Sequence, residues 1–164
     1  IESGIVPDNC FSAVDGNTLL GVLAIQTDAH KFLDLRFKDL IALYGFLGAT
    51  ARGAALHLLE YNPGPEEIYV EAVAVAEAAQ GKGIGTMLFE AFESFAKTRG
   101  FRKLTLEVID TNPRAQKLYE RLGFVIKNRS TLWPANRIFG WPFKENILME
   151  KTIMEKGDEE RPGP

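Results

Sequence analysis

A single cysteine and two histidines stand in 164 residues. Cys10 alone cannot close an internal disulfide, and with two histidines it cannot build a standard zinc site, so no metal is expected. Basic charge is not in surplus either: 19 Lys and Arg face 22 Asp and Glu, a net charge of -3. A domain whose main partner is nucleic acid carries a basic excess, so nucleic acid is not an expected partner. No apolar run approaches the ~20 residues that span a bilayer, and no membrane partner is expected. No signal-peptide pattern opens the chain, which makes a reducing cytoplasm the expected compartment.

What is there is the composition of a globular protein, 46% hydrophobic and 25% charged. Disorder, collagen and coiled coil are excluded as descriptions of the whole. A chain of this size buries on the order of 70% of its unfolded surface, enough for a real core. One domain is expected over 1–154, followed by a charged, Pro- and Gly-containing stretch, 155–164, that reads as a mobile tail.

Phe11–Val14 and Thr18–Gln26 are β-prone runs split by Asp15-Gly16-Asn17, a good hairpin turn. From His30 to Glu60 the apolar spacing turns helical, through Phe32, Leu35, Leu40, Leu43, Tyr44 and Leu47 and then Ala54, Ala55, Leu58 and Leu59. Gly45, Gly48 and Gly53 interrupt it, which predicts two helices. Glu66–Ala76 reads as a central strand, apolar on both faces. A helix is expected from Thr86 to Arg99 with Leu88, Ala91, Phe92, Phe95 and Ala96 as its buried stripe. Lys103–Ile109 is a strand. Asn112 caps the next helix, Pro113 fits its first turn and Gly123 ends it. Phe124–Lys127 and Glu145–Thr152 read as a closing strand pair around a loop rich in Trp133, Pro134, Trp141 and Pro142. The order ββ–αα–β–α–β–α–β–β implies an α/β or α+β domain with a mixed sheet.

Between the central strand and its helix runs Gln80-Gly81-Lys82-Gly83-Ile84-Gly85. A glycine-rich turn entering a helix presents free backbone N–H groups beside a positive helix end, a ready seat for phosphate. The bland alternative is a tight turn without a ligand. Lys82 is followed by Gly83 rather than Ser or Thr, so this is no P-loop. Counted from Gly81, the last glycine of a dinucleotide fingerprint would fall on Thr86, so that reading fails too. What remains is Q-x-x-G-x-G.

Here the chain resembles the GNAT superfamily of N-acetyltransferases, whose pyrophosphate-binding motif is Arg or Gln followed by x-x-G-x-G or A. Downstream, Asn112-Pro113-Arg114-Ala115-Gln116-Lys117-Leu118-Tyr119-Glu120-Arg121-Leu122-Gly123-Phe124 is similar to the family's N-x-x-A-x-x-L-Y-x-x-x-G-F segment. The resemblance runs from about Phe11 to Lys151. It implies a mixed, mostly antiparallel twisted sheet flanked by helices, with a splay between two central parallel strands. It also implies a first strand and first helices ahead of Phe11, where only ten residues stand, and a shorter link than His30–Glu60.

By the same resemblance, acetyl-CoA is the co-substrate. Its pantetheine arm would pair with the backbone of Val73, Ala74 and Val75, and its pyrophosphate would sit on the amides of Gly81, Lys82, Gly83, Ile84, Gly85 and Thr86, next to Gln80. Asn112 would contact the coenzyme, cap its helix, or both. Tyr119 would protonate the departing thiolate; the alternative is a core tyrosine on an apolar helix face. An ammonium group has no lone pair, so amine acetylation also needs a base. Glu107 and Glu71 are the two candidates, Glu71 facing as Val73 and Val75 do by strand alternation. Against both stand a strand-edge ion pair and a role for water.

The expected function is acetyl transfer from acetyl-CoA to an amine acceptor, a small molecule or a protein amine, by direct attack. The reading from another class is a coenzyme-binding sensor without turnover. The stretch from His30 to Glu60 is expected on the acceptor side of the cleft; a homodimer interface, or a cover for the sheet edge, stands against that.

Overall fold

The computed structural model describes residues 2–6, 9–27 and 61–153. The helices expected between His30 and Glu60, and the tail at 155–164, lie outside the described residues.

Among the described residues, seven strands form one sheet. They are β1 (Glu2–Val6), β2 (Cys10–Asp15), β3 (Thr18–Gln26), β4 (Glu67–Val75), β5 (Lys103–Ile109), β6 (Val125–Thr131) and β7 (Glu145–Thr152). Their spatial order is β1-β2-β3-β4-β5-β7-β6. Every neighbouring pair is antiparallel except β4 and β5, which are parallel. That parallel pair requires a crossover, and helix α1 (Ile84–Thr98) lies between its strands in the sequence. Helix α2 (Pro113–Arg121) follows β5, and a short helix α3 (Ala135–Phe139) sits in the β6–β7 connection. The fold is therefore α+β with a mixed, mostly antiparallel sheet, as the element order implied. The strand ahead of Phe11 that the resemblance required is β1, paired antiparallel along β2 from Glu2↔Val14 to Val6↔Cys10.

Helix α1 packs its apolar stripe on one face of the sheet. Leu88, Phe92 and Ala96, one turn apart, are fully buried against Phe11, Leu23, Ile25, Ile68, Leu104 and Leu106. Each such Phe or Leu contributes about 1.5–3 kcal/mol by leaving water. Phe11 also meets Phe92 and Phe95 edge to face, at 5.9 and 5.5 Å between ring centres. A Cβ at Gly21 would come within 3.2 Å of Ile84 Cγ2 and Leu88 Cδ1, so the missing side chain lets the first turn of α1 settle on β3. This brings the turn before α1 beside Val75, the rung partner of Gly21.

The differences from the sequence reading are local. Helix α1 starts at Ile84 rather than Thr86, because Gly83 already serves as its N-cap. β6 runs to Thr131, beyond the expected Lys127, and Phe124 belongs to the core instead, 3% exposed. The connection expected as loop contains α3, ended by Gly140 in the left-handed region.

β4 holds the difference that matters most. Opposite β3, Ile25 faces Val70 and Ala24 faces Ala72, so the register shifts by one residue at Glu71. Such a bulge resets the alternation of side chains. Val73 and Val75 consequently pack against the same core as Ile68 and Val70. The break in alternation lies between Val70 and Ala72; from there on, half-buried Glu71, Val73 and Val75 alternate with exposed Ala72 and Ala74. β4 is not covered on both faces throughout. Ile68, Tyr69 and Val70 are buried, whereas Ala72 and Ala74 are exposed.

Candidate functional site

The parallel strands separate in mid-course. β4 pairs with β5 from Glu67↔Lys103 to Val70↔Leu106 and no further, yet β4 continues to Val75 and β5 to Ile109. Over that stretch β4 is hydrogen-bonded to β3, through rungs Ala72↔Ala24 to Val75↔Gly21. Its opposite edge carries N–H and C=O groups without a strand partner among the described residues. An extended, amide-bearing chain can pair there as a further strand does. This is the splay expected between the central strands, and Val73, Ala74 and Val75 lie along it.

At the end of β4 the chain turns through a 3₁₀ segment, Glu77–Ala79, into the glycine run. Gly83 has φ +82°, a conformation costly for any residue with a Cβ, and from it α1 starts without a side-chain cap. The first N–H groups of a helix have no intrahelical partner, and the helix dipole adds partial positive charge. Gly85 serves a different need, since a Cβ there would come within 3.3 Å of Leu118 Cδ2, a tight contact that would make the leucine side chain shift.

Together the turn and α2 form a cleft of about 380 Å³. Val75, Ala79, Gln80, Gly81, Gly83, Ile84, Gly85 and Thr86 line one wall; Asn112, Arg114, Ala115, Leu118 and Arg121 line the other. Gln80 braces it, donating from Nε2 to the Val75 carbonyl at 3.3 Å and accepting from the Arg114 guanidinium at 3.4 Å. Asn112 Oδ1 accepts from the Ala115 N–H at 3.2 Å, the helix cap that its position predicts, while also lining the cleft. Uncapped amides, a left-handed glycine and two arginines fit a ligand with phosphate groups. Of the residues singled out in the sequence, Val73, Ala74 and Lys82, and the catalytic candidates Tyr119, Glu107 and Glu71, do not line this cleft. Lys82 is exposed beside it.

Tyr119 lies on α2 with its ring against Phe89 and Phe124, at 5.4 and 6.2 Å between centres. Both readings made of it thus keep a foothold: the ring packs on the core and stays only partly buried. Burial raises its phenol above the ordinary value, so the hydroxyl is a proton donor throughout the neutral range.

On the sheet face away from α1, the paired part of β4 and β5 carries a polar group. The Tyr69 hydroxyl donates to Glu107 Oε2 at 3.3 Å. The Tyr69 ring stacks on Tyr61 at 4.8 Å and 23°. The Tyr61 hydroxyl donates to Glu67 Oε1 at 2.6 Å, the Gly64 N–H donates to Oε2 at 3.1 Å, and the Thr105 hydroxyl also donates to Oε1. Burial works against the charged form of Glu67, but these donors outweigh it and hold its carboxyl below the usual range. Burial raises both phenols; after it come the Glu67 hydrogen bond for Tyr61 and the Glu107 charge for Tyr69. The Glu71 charge also acts on Tyr69, more weakly than that of Glu107. Reading the sequence alone missed Tyr61, Glu67, Tyr69 and Thr105. The available signal was the period-2 placement of Glu67, Tyr69, Thr105 and Glu107 in two strands, polar where a central strand should be apolar. No group of three His, Cys, Asp or Glu that could hold a metal occurs among the described residues. No helix among them is long and apolar enough to cross a membrane.

Comparison with known proteins agrees with this architecture. The model of the acetyltransferase (GNAT) family matches residues 4–124. Streptothricin acetyltransferase of Streptomyces lavendulae is 35% identical over 78 residues, covering 48% of this chain and 41% of that protein. Thialysine N-epsilon-acetyltransferase of Bos taurus is 29% identical over 99 residues, covering 60% and 58%. The matches thus span well under two thirds of these relatives. Among solved structures, a putative streptothricin acetyltransferase from Bacillus anthracis in complex with acetyl coenzyme A superposes with a TM-score of 0.61 at 18% identity, covering 91% of this chain and 65% of that one. A Bacillus subtilis acetyltransferase in complex with CoA gives 0.60 at 16% identity, covering 88% and 76%. With the family model spanning most of its length, and the splay and glycine cleft present, the chain belongs to the acetyltransferase (GNAT) family.

Proposed function

We propose that the protein is an N-acetyltransferase that moves the acetyl group of acetyl-CoA to a primary amine by direct attack. The observation that carries this is the splay: a β4 edge over Val73–Val75 with no strand partner among the described residues, leading into the cleft at Gly81–Thr86. An extended pantetheine arm and a pyrophosphate need these two features in this order. In the proposed complex the edge pairs with the arm, and the amides of Gly81, Lys82, Gly83, Ile84, Gly85 and Thr86 take the pyrophosphate. Gln80 and Asn112 hold the two walls, and Arg114 and Arg121 supply positive charge.

An acceptor amine arrives mostly as ammonium and must lose a proton before its nitrogen can attack the thioester carbon. Glu107 is the favoured recipient of that proton, with Glu71 the second candidate. As the C–S bond breaks, Tyr119 delivers its proton to the departing sulfur, a thiol of pKa near ~8.5 that leaves more readily when protonated, and the second proton shed by the acylated nitrogen restores the phenol. The relatives named for streptothricin and for thialysine Nε support an amine as the acceptor class.

Calorimetric titration with acetyl-CoA, together with thiol release over L-lysine, spermidine, an aminoglycoside and a short peptide with a free N-terminus, tests the reading. Binding with thiol release on at least one amine is expected. Tight binding with no release on any amine would leave a coenzyme-binding module in its place.

A further inference from the structure

The carboxylate favoured above as proton acceptor has a partner on the neighbouring strand. Tyr69 stands opposite Thr105 in the paired part of β4 and β5, and Glu107 follows Leu106, the last residue of β5 paired to β4. Their hydrogen bond, from the phenol to Glu107 Oε2 at 3.3 Å, therefore bridges the strands at the point where they part. The donor is itself held firmly. Tyr69 is 9% exposed, and its ring lies on Tyr61. Tyr61 is tied to Glu67, which the Thr105 hydroxyl and the Gly64 N–H hold in turn. A phenol fixed in this way has already lost its rotamer freedom on folding, so orienting a carboxylate costs little more.

We propose that Tyr69 is a positioning residue for acetyl transfer, holding the Glu107 carboxylate at the mouth of the splay. With Oε2 engaged by the phenol, the other oxygen takes the proton from the acceptor ammonium, and Tyr69 keeps its own proton throughout. Glu71, whose charge also reaches Tyr69, lies on the bulge of β4, whereas Glu107 sits in regular pairing with β7, opposite Leu148. The inference rests on Glu107 acting as the base.

Tyr69→Phe keeps the ring, its burial and its stacking on Tyr61, and removes only the hydroxyl. The test compares wild type, Tyr69→Phe, Glu107→Gln and the double variant, with acetyl-CoA and whichever of L-lysine, spermidine, an aminoglycoside or a short free peptide turns over fastest. Tyr69→Phe is expected to lower kcat roughly tenfold with the coenzyme KM unchanged, because a small misplacement of a reacting group costs that much or more. In the Glu107→Gln background the same change should have no further effect, a coupling that a merely structural tyrosine would not show. If Glu107→Gln is as fast as wild type, the base assignment falls and this inference with it. If Glu107→Gln is slow but Tyr69→Phe is not, or if the two losses multiply, only the Tyr69 inference is overturned. A wild type inert toward every amine overturns both.

Discussion

The Tyr69 phenol and the Glu107 carboxylate meet across the fork of the sheet, 3.3 Å apart, where the parallel pairing of β4 and β5 has just ended. Above that fork runs the open β4 edge; below it the strands are closed and carry the Tyr61–Glu67–Thr105 group. This hydrogen bond thus sits at the junction of the closed and open parts of the sheet, where the proposed transfer would bring two substrates together.

Gly83→Asp should weaken acetyl-CoA binding strongly. The substitution places a Cβ on a backbone at φ +82° and a negative charge at the uncapped start of α1, where the amides would otherwise meet phosphate. Calorimetric affinity equal to wild type in a folded variant would remove the pyrophosphate from this turn.

Tyr119→Phe should reduce kcat by roughly 10²-fold while acetyl-CoA affinity holds, the size expected for losing a positioned proton donor. The aromatic contacts with Phe89 and Phe124 survive the change, so little stability is lost. Activity equal to wild type across the pH range would reduce Tyr119 to a packing residue.

Glu107→Gln and Glu71→Gln separate the two candidate bases. Whichever residue takes the ammonium proton should lose the acidic limb of its kcat/KM profile on substitution, and the other variant should keep it. Both profiles retaining the limb would pass the role to water or to the substrate itself.

Glu67 predicts a pH dependence of stability rather than of rate. Its carboxyl is held below the ordinary value of 4.5, so between the two values the unfolded chain binds more protons than the folded one. The contribution is therefore fully present above the ordinary value and is lost as pH falls through the lowered one. Thermal melts should show Glu67→Gln less stable than wild type at neutral pH, with the gap closing in acid. A gap that is constant from neutral to strongly acidic pH would mean that the hydroxyl and amide donors around Glu67 do not favour its charged form.

Local physics made much of this protein legible from its residues. The Asp15-Gly16-Asn17 turn, the apolar stripe of α1, the Asn112 cap with Pro113 behind it and the strands at Lys103–Ile109 and Glu145–Thr152 depend on φ preference, capping and periodicity over a few neighbours. The glycine run and the Asn112–Phe124 segment are equally local, and so the family could be read from them. The choices that decide the chemistry are not local. The pairing of β4 with β5 stops at Val70↔Leu106, and the bulge at Glu71 overrules simple alternation; both depend on register with strands far away in the chain. Tyr69 reaches Glu107, and Thr105 reaches Glu67, only because that register brings residues 38 positions apart in the chain within two residues of a shared rung. Hydrophobic pattern marks which residues leave water, but a side-chain hydrogen bond needs atoms within about 3 Å, and only the packed sheet sets distances that finely.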